Sequence, residues 1–227
     1  MNKKFVIILN CILLALILAG DVLYIVFGDL WLKGLTSAFF VLLGVINLIY
    51  ATKLKSSKQK FSFILVIGLI FAMLGDIILN IHFISGAILF AVGHVFFFIS
   101  YCFLQKFSWK DLLFGAIIFI PSVLVITLVP IFDFGGVLME IVCVVYALII
   151  SLMVGKAISN LIRERNLLNL IIVLGSVLFF FSDLMLLLDV FGNLSVVGIL
   201  CLATYYPAEF LLAHSIYIGA GENHDTK

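Results

Sequence analysis

The chain has 227 residues, 65% of them apolar and only 11% charged, with a mean hydropathy of +1.37 and a net charge of +1. Soluble domains carry about a quarter charged residues, and a globule of this size cannot hide 23 Phe together with its other apolar side chains. A water-soluble enzyme, a disulfide-stapled secreted domain and a disordered chain are excluded, and the near-neutral balance gives nucleic acid no basic face to bind. What is left is an all-α, polytopic membrane protein.

A helix needs about 20 mainly apolar residues to cross a ~30 Å hydrocarbon layer. Eight runs satisfy this: 5–27, 30–50, 61–79, 83–104, 112–130, 136–158, 168–188 and 194–219. The first follows Lys3 and Lys4 and contains Ala19-Gly20, which raises a cleaved signal peptide as the competing reading. That run is longer than a usual signal core, and its removal would spoil the charge pattern of the remaining spans, so a retained first helix is expected. Lys53, Lys55, Lys58 and Lys60 separate spans two and three; Lys106 and Lys110 separate four and five. Lys156, Arg163 and Arg165 border the link from six to seven, and Lys227 ends the sequence. Twelve of the 13 Lys and Arg thus lie on one side, which the positive-inside rule makes cytoplasmic, with both termini there. The expectation is one transmembrane domain over 1–219, a polar tail over 220–227, and residence in a bacterial inner membrane. Cys11, Cys102, Cys143 and Cys201 fall inside apolar runs with no CxxC spacing and read as core or lipid-facing thiols.

Ionisable side chains inside spans are costly, so each asks for a reason. The candidates are Asp21, Lys33, Asp76, His94, Glu140, Asp183, Glu209 and His214. At about 1.5 Å per residue, Asp21, Lys33, Asp76, Glu140 and Asp183 share a layer roughly 5–9 Å below the non-cytoplasmic face. His94 and Glu209 fall near the midplane. A polar chamber opening to the outer leaflet would gather these groups, whereas snorkelling to the interface is the plainer account for Asp21 and Lys33. His214 reads as a structural anchor near the inner interface, and His82 as a solvated loop residue.

Lys33 precedes Asp76 by 43 residues, and Glu140 precedes Asp183 by the same 43. The echo suggests two parallel four-helix repeats, 1–110 and 111–219, with a site at their interface and Asp76 facing Asp183 across the pseudo-axis. Asn80 follows Asp76 by one turn, and Tyr205 and Tyr206 precede Glu209 by one. Pro207 should kink the last span and is the one clear interruption of a helix at depth.

Several chemistries lack their residues. There is no G-x-S-x-G elbow for a serine nucleophile. His82, His94 and His214 lie at outer face, midplane and inner face, too far apart to share a metal. No metal and no cofactor is expected. Metal-free acid–base chemistry by carboxylates remains, or transport by the same groups.

At these residues the chain resembles the lysoplasmalogenase (YhhN-like) family of small eight-span membrane proteins. The resemblance rests on Gly75-Asp76-x-x-Leu79, Gly86, Gly93-His94, the stretch from Gly175 to Leu187, and Thr204-Tyr205-Tyr206. Lys33-Gly34-Leu35-Thr36 is similar to the family's Lys-Pro start of the second span, with Gly in place of Pro. Phe97 stands where the family pattern has tyrosine, and Glu209 where it has glutamine.

The resemblance implies hydrolysis of the vinyl-ether bond of lysoplasmalogens to a fatty aldehyde and a glycerophospho-base, with a lysophospholipid as substrate and membrane lipid as the surroundings. A vinyl ether opens when its outer alkene carbon is protonated, giving an oxocarbenium ion that water captures. One carboxyl to donate and one carboxylate to stabilise the cation suit that step, as in glycosidases. Asp76 and Asp183 are the expected acid/base pair. Lys33 would hold the phosphate or fix one aspartate as the carboxylate. Asn80, His94, Glu140, Tyr205 and Glu209 would bind or orient substrate and water. Two other readings stand beside this one: a proton-coupled transporter of a small amphiphile or lipid, which buried carboxylates and a kinked helix also suit, and a non-catalytic lipid-binding protein.

Overall fold

In hydrocarbon the backbone has no water to bond to, so a spanning segment must satisfy its own N–H and C=O groups, as a helix does. The computed structural model describes residues 2–194 and 196–221, and among these it has eight helices and no strand. In chain order they are α1 (Lys3–Phe27), α2 (Leu30–Lys53), α3 (Gln59–Leu79), α4 (Phe83–Leu104), α5 (Trp109–Leu128), α6 (Val137–Arg163), α7 (Leu167–Val190) and α8 (Val197–Gly221). All eight are long and apolar enough to cross a membrane. The chain is an all-α, integral multi-pass membrane protein.

The helices outrun the apolar stretches where charge, not backbone geometry, ends the hydropathy signal. Thus α2 continues to Lys53 and α6 to Arg163. By contrast α5 stops at Leu128, two residues before Pro130, whose ring disfavours helical geometry in the residue ahead of it. Of the polar tail expected over 220–227, Ala220 and Gly221 are the last turn of α8, and 222–227 lie outside the described residues. The turns are capped locally. Asp29 accepts from the Trp31 amide at 2.9 Å to start α2, Ser108 and Asp111 form a capping box on α5, and Asn166 accepts from the Asn169 amide on α7.

Successive helices pack as hairpins, most closely α3 with α4, α5 with α6, and α7 with α8. α2 packs against α8, and α6 packs against α4. The backbone of α5 packs closely on α6 alone. There glycines bring the two chains together: a Cβ on Gly155 would lie 2.3 Å from the Gly115 nitrogen and 2.6 Å from its Cα. Small residues at such crossings let membrane helices approach closely. Pro121 lies inside α5, so Pro207 is not the sole proline within a span; the tolerance comes from neighbouring helices and adjusted backbone.

The lysine-bearing end is tied by buried polar contacts. Lys156, counted above among the boundary charges, is 0% exposed. It pairs with Asp111 at 2.8 Å and donates to the Lys106 carbonyl, which Arg163 also reaches at 2.9 Å. Nearby, Asn10 and Asn47 exchange side-chain hydrogen bonds, and His214 bonds Asn10 at 2.8 Å, pinning α1 and α8 to α2. His214 is thus a structural anchor.

Valine at Gly155 has no room against a backbone that cannot rotate away. Gly155→Val is expected to lower the unfolding free energy in detergent by about 1–3 kcal/mol. Gly221→Val, with nothing within 4 Å of the added Cβ, is the control expected to change little.

Candidate functional site

Asp76 is in the last turn of α3, 2% exposed, and both its oxygens are occupied. Lys33 of α2 reaches Oδ1 at 2.9 Å. Oδ2 accepts from the hydroxyl of Ser37, one turn after Lys33, and from Tyr206 of α8 at 3.1 Å. The Lys33 ammonium also lies 5.4 Å from the centre of the Tyr24 ring. Asp21 is 5% exposed, within electrostatic reach of Asp76, and its Oδ1 has no hydrogen-bond partner. Neither Asp21 nor Lys33 snorkels; both point inward.

Asp183 heads a second cluster on α7. Tyr146 of α6 donates to its Oδ2 at 2.6 Å, and Nε2 of His94 on α4 lies 3.3 Å from the same oxygen and 2.8 Å from the Tyr146 oxygen. Since the one Tyr146 proton goes to Asp183, an Nε2–H of His94 would be shared between the Tyr146 oxygen at 2.8 Å and Asp183 Oδ2 at 3.3 Å. His94 is 1% exposed, with Phe179 edge-on at 4.6 Å.

The two clusters differ in access. A cavity of about 380 Å³ opens among α4, α5, α6 and α7, walled by apolar side chains such as Phe90, Pro121, Ile126, Ala147 and Leu187. Asp183 is the one carboxylate in its wall, beside Tyr146 and Ser122. The Asp183 side chain is 15% exposed, and its Oδ1 has no hydrogen bond from the described residues. One oxygen is therefore fixed and the other faces the cavity. No hydrogen bond joins Asp76 to Asp183.

The supply of partners follows a pattern. Asp76 of α3 is met from α2 and α8, while Asp183 of α7 is met from α6 and α4. A four-helix repeat would relate these helices to one another, although α4 has no counterpart of the contacts that α8 makes with α1 and α3. Side chains diverge more: Cys201 stands at the position in α8 that His94 holds in α4, and Glu140 stands opposite Lys33.

Of the residues expected to bind or orient substrate, His94 joins Asp183. Tyr205 and Glu209 are buried in the interior between the clusters, at 4% and 0% exposure. Glu140, half-buried in the first turn of α6, contacts neither aspartate. Its side chain is too near the helix start to reach Asp183. Asn80 is exposed; it donates to the Asp76 backbone carbonyl at 2.7 Å, which closes the end of α3, and accepts from the Tyr24 hydroxyl at 3.5 Å at the rim of the Lys33–Asp76 cluster. Ser37 and Tyr146 were not among the expected residues. Ser37 had a signal, its four-residue spacing from Lys33. So had Tyr146, a tyrosine too deep in its span for an interfacial anchor.

A family model, described as the YhhN family, matches residues 32–216. The chain belongs to the YhhN family. The match holds Lys33, Asp76, His94, Tyr146, Asp183, Tyr205 and Glu209, and leaves out α1. No curated protein and no solved structure matches the chain.

Among the described residues no group of His, Cys, Asp and Glu has the arrangement of a metal centre. The Lys33–Asp76 pair is the more stringent structural demand. Lys33→Met leaves a buried carboxylate without its counter-charge and is expected to cost about 3–5 kcal/mol of stability. Lys33→Met combined with Asp76→Asn should recover much of that, as read by denaturant titration in micelles.

Proposed function

We propose that this YhhN-family protein is a hydrolase that cleaves the vinyl-ether bond of lysoplasmalogens, with Asp183 as the group that meets the substrate. One observation carries the reading: an aspartate oxygen with no protein partner faces an otherwise apolar cavity, while the other oxygen is held by Tyr146 and His94. Such a wall accepts an alkenyl chain and offers it a single point for proton transfer.

Asp183 in its acid form gives a proton to the outer alkene carbon, and the carbon attached to oxygen becomes an oxocarbenium ion. Water adds to that carbon and releases a proton, which restores the acid. The hemiacetal then collapses to the aldehyde and the free glycerol hydroxyl, so one water is consumed and no net proton. Tyr146 and His94 hold the Asp183 carboxyl in place throughout, which preorganises it for charge that develops beside it. Asp76 is the second member of the pair. Its 2.9 Å contact with Lys33 favours the reading in which Lys33 fixes Asp76 as the carboxylate, over one in which Lys33 holds phosphate. The twelve Lys and Arg at one end of the sequence pattern support a cytoplasmic placement of that end and of both termini, in a bacterial inner membrane.

The test is aldehyde release from ethanolamine and choline lysoplasmalogens by purified protein. Asp183→Asn is expected to lower kcat by about 10² or more while folding normally, and Tyr146→Phe by about ten-fold, whereas Asp76→Asn strands the buried Lys33 ammonium and is expected to lose stability as well as activity. Near-normal turnover in Asp183→Asn removes the assignment. Intact substrate crossing liposomes with no aldehyde formed turns the reading to transport.

A further inference from the structure

Few atoms other than carbon line the cavity that Asp183 faces. Its wall holds four side chains with a heteroatom: Ser122 of α5, Cys143 and Tyr146 of α6, and Asp183 of α7. The Tyr146 hydroxyl is given to Asp183, and a thiol such as that of Cys143 bonds only weakly. Ser122 remains. Its hydroxyl donates to the Ile118 carbonyl one turn earlier at 2.8 Å, so its single proton is committed within α5. The lone pairs of the oxygen are not, and no donor reaches them from the described residues. Pro121, also in the wall, has no N–H and leaves the Ile117 carbonyl, one turn before it, without its usual partner. This side of the cavity therefore offers acceptors and asks its guest for a donor.

Ser122 and Asp183 lie at one level, on different walls. Ser122 is six residues before the end of α5 and Asp183 seven before the end of α7. At about 1.5 Å per residue both are roughly 10 Å below those ends. The two helices run the same way, and their ends are tied together: the Asp133 amide, in the turn after α5, donates to the carbonyl of Phe191, which caps α7, at 2.9 Å. The backbone of α5 packs closely on α6 alone, so the cavity lies between α5 and α7. A guest that meets Asp183 has Ser122 on its other side.

We propose that Ser122 is a specificity-determining residue of the Asp183 site: its oxygen accepts a hydrogen bond from a hydroxyl on the carbon next to the one that bears the reacting ether. The proposal rests on the hydrolase reading and deepens it. In a lysoplasmalogen the reacting oxygen is on one glycerol carbon and a free hydroxyl is on the next. The ether oxygen and the alkene have no proton to donate, so this hydroxyl is the donor nearest the reacting bond. Held by Ser122 on one wall, it sets the alkene against the open oxygen of Asp183 on the other, and such placement of a reactant lowers the barrier. A lipid that carries an acyl ester at that carbon brings no donor. Sites built around a substrate hydroxyl discriminate against its absence, because their own polar group is then left unpaired.

Two probes that differ by one oxygen test this: 1-alkenyl-glycerophosphoethanolamine and its 2-deoxy analogue, which lacks the hydroxyl and adds no bulk. Wild-type protein should favour the hydroxyl-bearing substrate in kcat/KM by about three- to ten-fold, the effect of one hydrogen bond. In Ser122→Ala the preference should fall to near one, and in Ser122→Thr, which keeps the oxygen, it should persist. The ratio compares two substrates on one protein, so a general loss of fold cancels from it. A preference unchanged in Ser122→Ala overturns the proposal. So does a Ser122→Ala protein that slows both substrates alike and keeps their ratio, which would give the serine to the attacking water. Binding of the saturated 1-alkyl ethers, with and without the hydroxyl, repeats the comparison without turnover. A preference there that Ser122→Ala removes, beside a wild type that releases no aldehyde, upholds the serine contact and refutes the hydrolase reading. Aldehyde release with a preference indifferent to Ser122→Ala does the reverse.

Discussion

An ionisable group inside a hydrocarbon slab must find its partner on another helix, because its own helix has used its backbone groups and lipid offers none. The Lys33–Asp76 ion pair is that rule at its strictest here. It joins α2 to α3, and the hydroxyl of Tyr206 brings α8 onto the same carboxylate. Three helices are thereby held at one point, close to the end of the bundle opposite the lysine-rich loops. Lys156 and Asp111 do the same for α6 and α5 at the other end. Between such fixed points the rest of the bundle packs through apolar side chains and close glycine contacts, which fill space but do not choose a partner as strongly.

The second aspartate obeys the rule only in part, and the proposed chemistry depends on that. Asp183 has its Oδ2 bound by a tyrosine and a histidine from two helices, while Oδ1 is left to an apolar cavity. Asp76, fully engaged, reads as a charge held still; Asp183, half engaged, reads as a group able to exchange a proton with a guest. The cavity exists because α5 packs closely on α6 alone and stands off from α4 and α7. That packing of α5 thus accounts for which aspartate has access.

Much of this was legible in the sequence. Hydropathy alone gives the eight helices, since a span in lipid has no alternative to being one, and the misplaced ends fall where charge and helix geometry part company, as at Lys53 and Arg163. The intramembrane Asp76, His94, Asp183 and Glu209 stand out because each is expensive in its surroundings. Ser37 and Tyr146 were harder to see. A hydroxyl is cheap enough in a membrane helix to draw no notice, and only its distance to a carboxylate on another helix shows what it does. Asn80 lies one turn from Asp76, and its amide, just past the helix end, bonds the free backbone carbonyl within reach rather than the carboxylate.

What the sequence by itself determined is the class of the protein, the number of spans and the short set of residues that hydrocarbon would not tolerate unpaired. These follow from transfer free energies, which are properties of single residues and their order along the chain. Only the tertiary structure decided who pairs with whom: Lys33 with Asp76, Tyr146 and His94 with Asp183, and Glu209 with no hydrogen-bond partner among the described residues. Pairing depends on distances between helices far apart in sequence, and one-dimensional spacing says nothing of those.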